Sequence, residues 1–146
     1  MKITFKDCLE KKRIFRFEPA KQLVNLEIKD AESDLCSARE EFSKSGFKWA
    51  TIKGYYSMFH SARALLFFRG YREKGHYCLY LALKEFFVQE GKLNPKLAED
   101  FNNSMILRED ADYRRKFSQE GAQAVIESVE RFLKAAKEIL GPGIEP

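Results

Sequence analysis

The run from Trp49 to Gly70, WATIKGYYSMFHSARALLFFRG, constrains the fold more than any other part of the chain. At about 100° per residue, Ile52, Tyr56, Phe59, Arg63 and Leu66 share one side of a helix, and Tyr55, Met58, Ala62 and Leu65 lie on the adjoining side. Together they cover roughly half the circumference, wider than the apolar stripe of a surface helix, so this helix has neighbours on several sides. A narrow strip of Lys53, Ser57, His60, Ser61 and Ala64 is left over. Arg63 stands where the four-three spacing calls for an apolar residue, with Tyr56 and His60 about a turn away. A charge and two polar rings inside an apolar pattern need partners.

The flanking segments supply helices to surround it. Residues 19–45 carry Val24, Ile28, Ala31, Leu35, Ala38 and Phe42 in alternating steps of four and three, the seam of a bundle helix. Residues 76–90 place Leu79, Leu83, Phe86 and Phe87 inward, and Gly91 to Pro95 breaks the chain. A helix over about 95–111 has Leu97, Phe101 and Met105 in steps of four, and its face continues through Arg108 and Asp112, one turn apart and able to pair. A bend is expected before Tyr113. The last helix, about 118–140, has Ser118 as N-cap and a seam of Ala122, Val125, Val129, Phe132, Ala136 and Ile139. Phe5 to Ile14 predicts a short helix. No segment shows the alternation or turn dipeptides of a strand. The fold class expected is all-α: an up-and-down four-helix bundle with one or two extra short helices. The 146 residues form one domain, with a core over 17–140, an N-terminal extension over 1–16 and a flexible tail over 141–146.

Cysteine use and hydropathy bear on compartment. Cys8, Cys36 and Cys78 are odd in number, widely spaced and without a CxxC pair, which predicts three reduced thiols in a cytoplasmic protein. The apolar run Ala64 to Phe68 is far too short to span a bilayer, and no signal core opens the chain, so no membrane role is expected. The formal net charge of +4 is compatible with a polyanion partner without requiring one.

No phosphate-binding glycine loop, HExxH or GxSxG is present. His60 and His76 are not spaced with acids as metal ligands, so neither a metal nor a cofactor is expected. Chemistry must come from Arg, His, Tyr and Asp. Two groups offer it: Tyr56, His60 and Arg63 on the central helix, and Arg108, Asp112 and Tyr113 near the end of the fifth. Each has a structural alternative, a buried polar cluster that fixes helix register in the first case and a helix-terminal salt bridge with a packed tyrosine in the second. Arg114, Arg115 and Lys116 make a basic run that also reads as a solvated loop.

Taken together, YYSMFHSARALLFFRG, GHYCLYLALKEFFVQEGKL and LREDADYRRKF resemble the HEPN domain (higher eukaryotes and prokaryotes nucleotide-binding), in its branch of small stand-alone prokaryotic proteins. The resemblance spans about residues 17–140. It implies a helical bundle, usually a homodimer, paired in many two-gene toxin–antitoxin systems with a minimal nucleotidyltransferase-domain protein. Active members are regarded as metal-independent endoribonucleases whose motif is an Arg followed four to six residues later by His, often with a Tyr beyond. Arg108 and Tyr113 match the Arg and the Tyr. Ala111 or Asp112 stands where the His belongs.

Metal-free RNA cleavage needs a base for the 2′-OH, an acid for the leaving 5′-oxygen and a cation for the charged phosphorane. Arg108 or Arg63 can provide the cation, and a histidine suits the proton transfers best. Here that histidine has to be His60 or His76, from another helix. Asp112 and Tyr113 complete the catalytic candidates, and Arg63, Tyr56 and Arg114 are the candidate phosphate-binding residues. The expectation is a protein that binds nucleotide or RNA phosphate, with ribonuclease activity open. The alternative is a non-catalytic helical dimerisation or interaction module. In the first case the Arg, His and Tyr side chains converge on an open cleft; in the second they are buried and satisfy one another.

Overall fold

A computed structural model describes residues 2–141. In order, these form α1 (Phe5–Glu10), β1 (Ile14–Arg16), a 3-10 turn (Glu18–Leu23), α2 (Val24–Ser43), α3 (Phe47–Phe68), β2 (Tyr71–Glu73), α4 (His76–Leu83), a π-helical turn (Lys84–Val88), α5 (Pro95–Tyr113) and α6 (Gln119–Leu140). The chain is predominantly helical, as the periodicity predicts. The flexible tail expected over 141–146 lies, from residue 142, outside the described residues.

Helix α3 is the axis of the bundle and touches α2, α4, α5, α6 and β2. Fourteen of its 22 residues are buried, more than any single stripe could supply. The leftover strip faces α2: Ser57 donates to the Ala31 carbonyl at 2.7 Å, Ser61 to the Ser57 carbonyl at 2.9 Å, and Ala64 is fully buried. Small residues here let the two helices approach closely without stranding a polar group. On the opposite contact, a Cβ on Gly54 would sit 2.9 Å from Val125 Cγ1 of α6. Gly54→Ala is therefore expected to lower stability by about 1–2 kcal/mol in urea denaturation, the overpacking cost less the helix-propensity gain, and adding Val125→Ala should relieve the clash.

Two expectations are corrected. The sequence shows no strand pattern, yet β1 and β2 pair antiparallel with Ile14 opposite Glu73, Phe15 opposite Arg72 and Arg16 opposite Tyr71. Three-residue strands are too short to show alternation, and their partners are far apart in sequence. The thiols are not all reduced: Cys8 of α1 and Cys78 of α4 form a disulfide across 70 residues, and Cys36 is free and exposed. The sequence hides this because only the docking of α1 on α4 brings the two cysteines together. The cytoplasmic reading loses its premise in the thiols. What stands is that no helix among the described residues is long and apolar enough to cross a membrane.

Element ends also move. Residues 1–16, expected as an extension, give the core Cys8 at 0% and Ile14 at 2% exposure. The first helix stops at Glu10 and the chain turns through Lys12 at φ 56, which frees Ile14 for β1. The helix expected from Pro19 begins as a 3-10 turn and becomes α-helical at Val24. The helix expected over 76–90 ends at Leu83 and continues as a π turn, with Gln89 N bonded to Lys84 O at 3.0 Å. Helix α5 runs on through Tyr113 before the chain turns at Arg115, φ 56.

Candidate functional site

The predicted site residues fall into two groups, which meet around the buried ring of Phe59. The first is built on Arg108 of α5. Its side chain is 12% exposed, its Nη2 donates to Tyr56 Oη at 2.8 Å, and the same nitrogen lies 3.4 Å from Asp112 Oδ2. The guanidinium carbon stands 5.2 Å from the ring centre of Tyr56, 5.4 Å from Tyr113 and 5.9 Å from Tyr55, a cage of three phenols. Its Nε is buried and, among the described residues, has no hydrogen-bond partner. The group is not the open cleft expected of a phosphate site: its Nε is buried, and an oxyanion can reach the guanidinium only through the small part of the side chain that stays exposed.

His76 joins this group from α4. Its Nδ1 shares a hydrogen bond with Tyr55 Oη. Its ring stacks on Phe59 with centroids 4.7 Å apart and lies edge-on to Tyr56 at 6.3 Å. Burial, and then the positive charges of Arg108 and Arg63, hold His76 below the ordinary histidine value. Burial chiefly pushes the Tyr55 phenol up, so it stays protonated. The tautomer sets the roles in this hydrogen bond: with Nδ1–H donating to the Tyr55 oxygen, the neutral imidazole keeps a lone pair on Nε2, and with the phenol donating to Nδ1 it carries its proton there.

This depression has a consequence for stability. The unfolded chain takes up the His76 proton near 6.5, before the folded chain does, so folding stability is lost as pH falls below 6.5. Melting curves of His76→Gln are expected to fall less steeply than wild type over that acidic range.

The second group is an ion-pair network. Arg63 of α3 grips Glu73 of β2 with Nη2 at 2.5 Å and Nε at 3.1 Å from Oε2, and its Nη1 is 3.6 Å from Glu27 of α2. Its guanidinium also lies over Phe59 at 4.5 Å. His60 points to α2, with Nδ1 3.1 Å from Glu27 Oε1 and Nε2 3.6 Å from Asp34 Oδ2. Burial acts to lower its pKa, but the hydrogen bond and charge of Glu27, with Asp34 and Asp30, outweigh burial and raise it. Donor atoms of Glu27, Asp30 and His60 lie within 4.8 Å of one another, a set able to hold a divalent cation, although Arg63 already neutralises Glu27 in part.

The structure thus brings together Tyr56, His76, Arg108, Asp112 and Tyr113. It separates Arg63 and His60 from them, and it leaves Arg114 exposed and paired with Asp110 at 2.9 Å. The partners that Arg63, His60 and Tyr56 require are Glu73, Glu27 and Arg108. Sequence reasoning missed Tyr55, Glu27 and Glu73. Glu27 lies beside the α2 seam with three carbons' reach inward, and Glu73 sits in a strand too short to recognise.

Known proteins bear on this arrangement. The HEPN domain family matches residues 24–140. The chain is 32% identical over 133 residues to "Putative toxin MJ0605" of Methanocaldococcus jannaschii, covering 82% of this chain and 99% of the relative. It is 28% identical over 120 residues to a "UPF0332 protein" of Archaeoglobus fulgidus, covering 78% and 92%. A further relative, "Putative toxin MJ0142" of Methanocaldococcus jannaschii, is 26% identical over 115 residues, covering 77% and 78%. With a match that takes in α2 through α6 and every residue of the Arg108 group, the chain belongs to the HEPN domain family.

Proposed function

We propose that this protein is a HEPN-type toxin that binds RNA phosphate at Arg108 and cleaves it without a metal, with His76 in the role of the histidine that α5 lacks. The observation that carries the reading is a caged Arg108, one donor unspent, next to a neutral imidazole from another helix. In the reaction, His76 Nε2 takes the 2′-OH proton as that oxygen attacks phosphorus. Arg108 stabilises the extra negative charge on the phosphorane. The bond from phosphorus to the 5′-oxygen breaks, that oxygen is protonated by the exposed Tyr113 hydroxyl, and a 2′,3′-cyclic phosphate is left. Asp112 orients the guanidinium rather than acting as a base. Tyr56 holds it from the other side.

Relatives named as toxins support a role in which a partner restrains the activity, and the HEPN resemblance implies as that partner a minimal nucleotidyltransferase-domain protein, with the toxin acting as a homodimer on cytoplasmic RNA. The non-catalytic reading draws on Arg63, whose donors are held by Glu73 and which therefore serves architecture rather than phosphate. Incubation of the purified protein with end-labelled RNA in EDTA separates the two. Fragments ending in cyclic phosphate are expected, and intact RNA at all enzyme concentrations refutes the nuclease.

A further inference from the structure

The chain's net charge is concentrated outside the family match. Of 26 Lys and Arg and 22 Asp and Glu, seven and three precede residue 24, which leaves nineteen of each in the remainder. The formal +4 thus belongs to the segment that builds α1 and β1. In the rest of the chain most cations pair with acids, as in Arg39–Glu130, Arg69–Glu90 and Arg131–Asp100, while Lys29, Lys48, Lys84, Arg115, Lys116 and Lys134 stand singly among the described residues. On the ribbon, Arg13, Arg16, Arg72 and Lys74 form no ion pair among the described residues. Three of them lie over aromatic rings instead: Lys74 over Phe15 at 5.4 Å, Arg72 over Phe17 at 5.0 Å, Arg16 over Tyr71 at 5.1 Å. A ring holds a cation in place without cancelling its charge. The strand register brings Phe15 opposite Arg72, and the Lys74 amide bonds to the Arg13 carbonyl at 2.7 Å, so these charges are fixed on one small scaffold. Arg16 also lines a cleft of about 290 Å³ with Phe17 and Lys21. Only Gly75 separates Lys74 from His76.

We propose that the β1–β2 ribbon is a docking surface for single-stranded RNA, which the N-terminal segment adds to the HEPN bundle and which delivers the strand to His76. The inference rests on the reading of the Arg108 site as one that acts on RNA. Fixed, uncompensated cations interleaved with aromatic rings match a strand that offers phosphates and bases in alternation.

The test is fluorescence anisotropy with a 2′-O-methylated, fluorescein-labelled oligouridylate, which binds but cannot be cleaved. Removal of three phosphate contacts in Arg13→Gln/Arg72→Gln/Lys74→Gln is expected to make the slope of log affinity against log salt about 2 shallower and to weaken binding by about 10- to 100-fold. Circular dichroism and melting confirm that the variant is folded. The milder Arg13→Gln/Lys74→Gln, which spares the half-buried Arg72, should give a proportionate change. An unchanged slope in both variants overturns the proposal. Poly-glutamate that competes as well as RNA at equal charge also overturns it, and assigns the ribbon to an acidic protein. The two readings fail separately. If the ribbon variants lose binding while wild type cleaves nothing in EDTA, docking stands and the nuclease falls. If wild type cleaves in EDTA and Arg108→Ala alone loses binding, the nuclease reading stands and docking falls.

Discussion

Arg108→Ala is expected to reduce RNA cleavage by on the order of 10²–10³-fold, the usual loss when a preorganised donor to transition-state charge is removed. The guanidinium does three things that no neighbour can take over. It donates to Tyr56, it lies beside Asp112, and it keeps Nε in reserve within a nearly closed cage. Arg108→Lys separates charge from geometry. An ammonium supplies one point charge and cannot span Tyr56 and a phosphate oxygen at once, so it should recover little of the rate. A quantitative gel assay in EDTA reads both variants. Equal cleavage by wild type and Arg108→Ala moves the chemistry away from this site. Arg108 also lowers the pKa of His76, so any residual activity in the alanine variant should have its acidic limb displaced to higher pH.

The largest effect on stability is expected at Arg63 and Glu73. The Glu73 side chain is 2% exposed and that of Arg63 19%, with three of the guanidinium–carboxylate contacts between 2.5 and 3.2 Å. Removal of one partner strands a buried charge. Arg63→Met or Glu73→Leu alone should each cost about 3–5 kcal/mol. In a domain of this size that lowers the melting temperature by about 10 °C. The double variant exchanges both charges for apolar groups and should recover most of the loss, because the pair costs nearly as much to desolvate as it returns. Calorimetry of the two single variants and the double variant closes the cycle. Additive losses would show that the two residues act independently.

The helices were legible because their signal is local and repeated. Val24, Ile28, Ala31, Leu35 and Ala38 are all buried, as are Ala122, Val125, Val129, Phe132 and Ala136, so the two seams read from spacing are the seams that pack. Helix ends were less legible. Nothing in Lys84 to Val88 announces a π turn, and Pro19 fits the opening of a 3-10 turn as well as that of an α-helix. The candidate site was legible in its residue types and not in its grouping. Arg63 sits on the central helix among the aromatics, yet Glu73 binds it from a strand whose pairing joins residues 55 or more positions apart, and periodicity carries no trace of that. His76 reaches Tyr55 and the Arg108 cage only because Gly75, at φ 100, turns the chain from β2 into α4. Tyr55 looked like core, and it is core, fully buried; its hydroxyl nonetheless meets His76.

The covalent tie between Cys8 and Cys78 sets where the autonomous folding unit begins. A fragment cut at the family boundary, residue 24, would keep every HEPN helix and still be incomplete. It would leave the Lys74 amide without the Arg13 carbonyl, strip Phe17 from Phe67, and present the inner edge of β2 to water beside the ion pair it shelters. The evolutionary domain and the physical one thus start at different residues, and the physical one is longer.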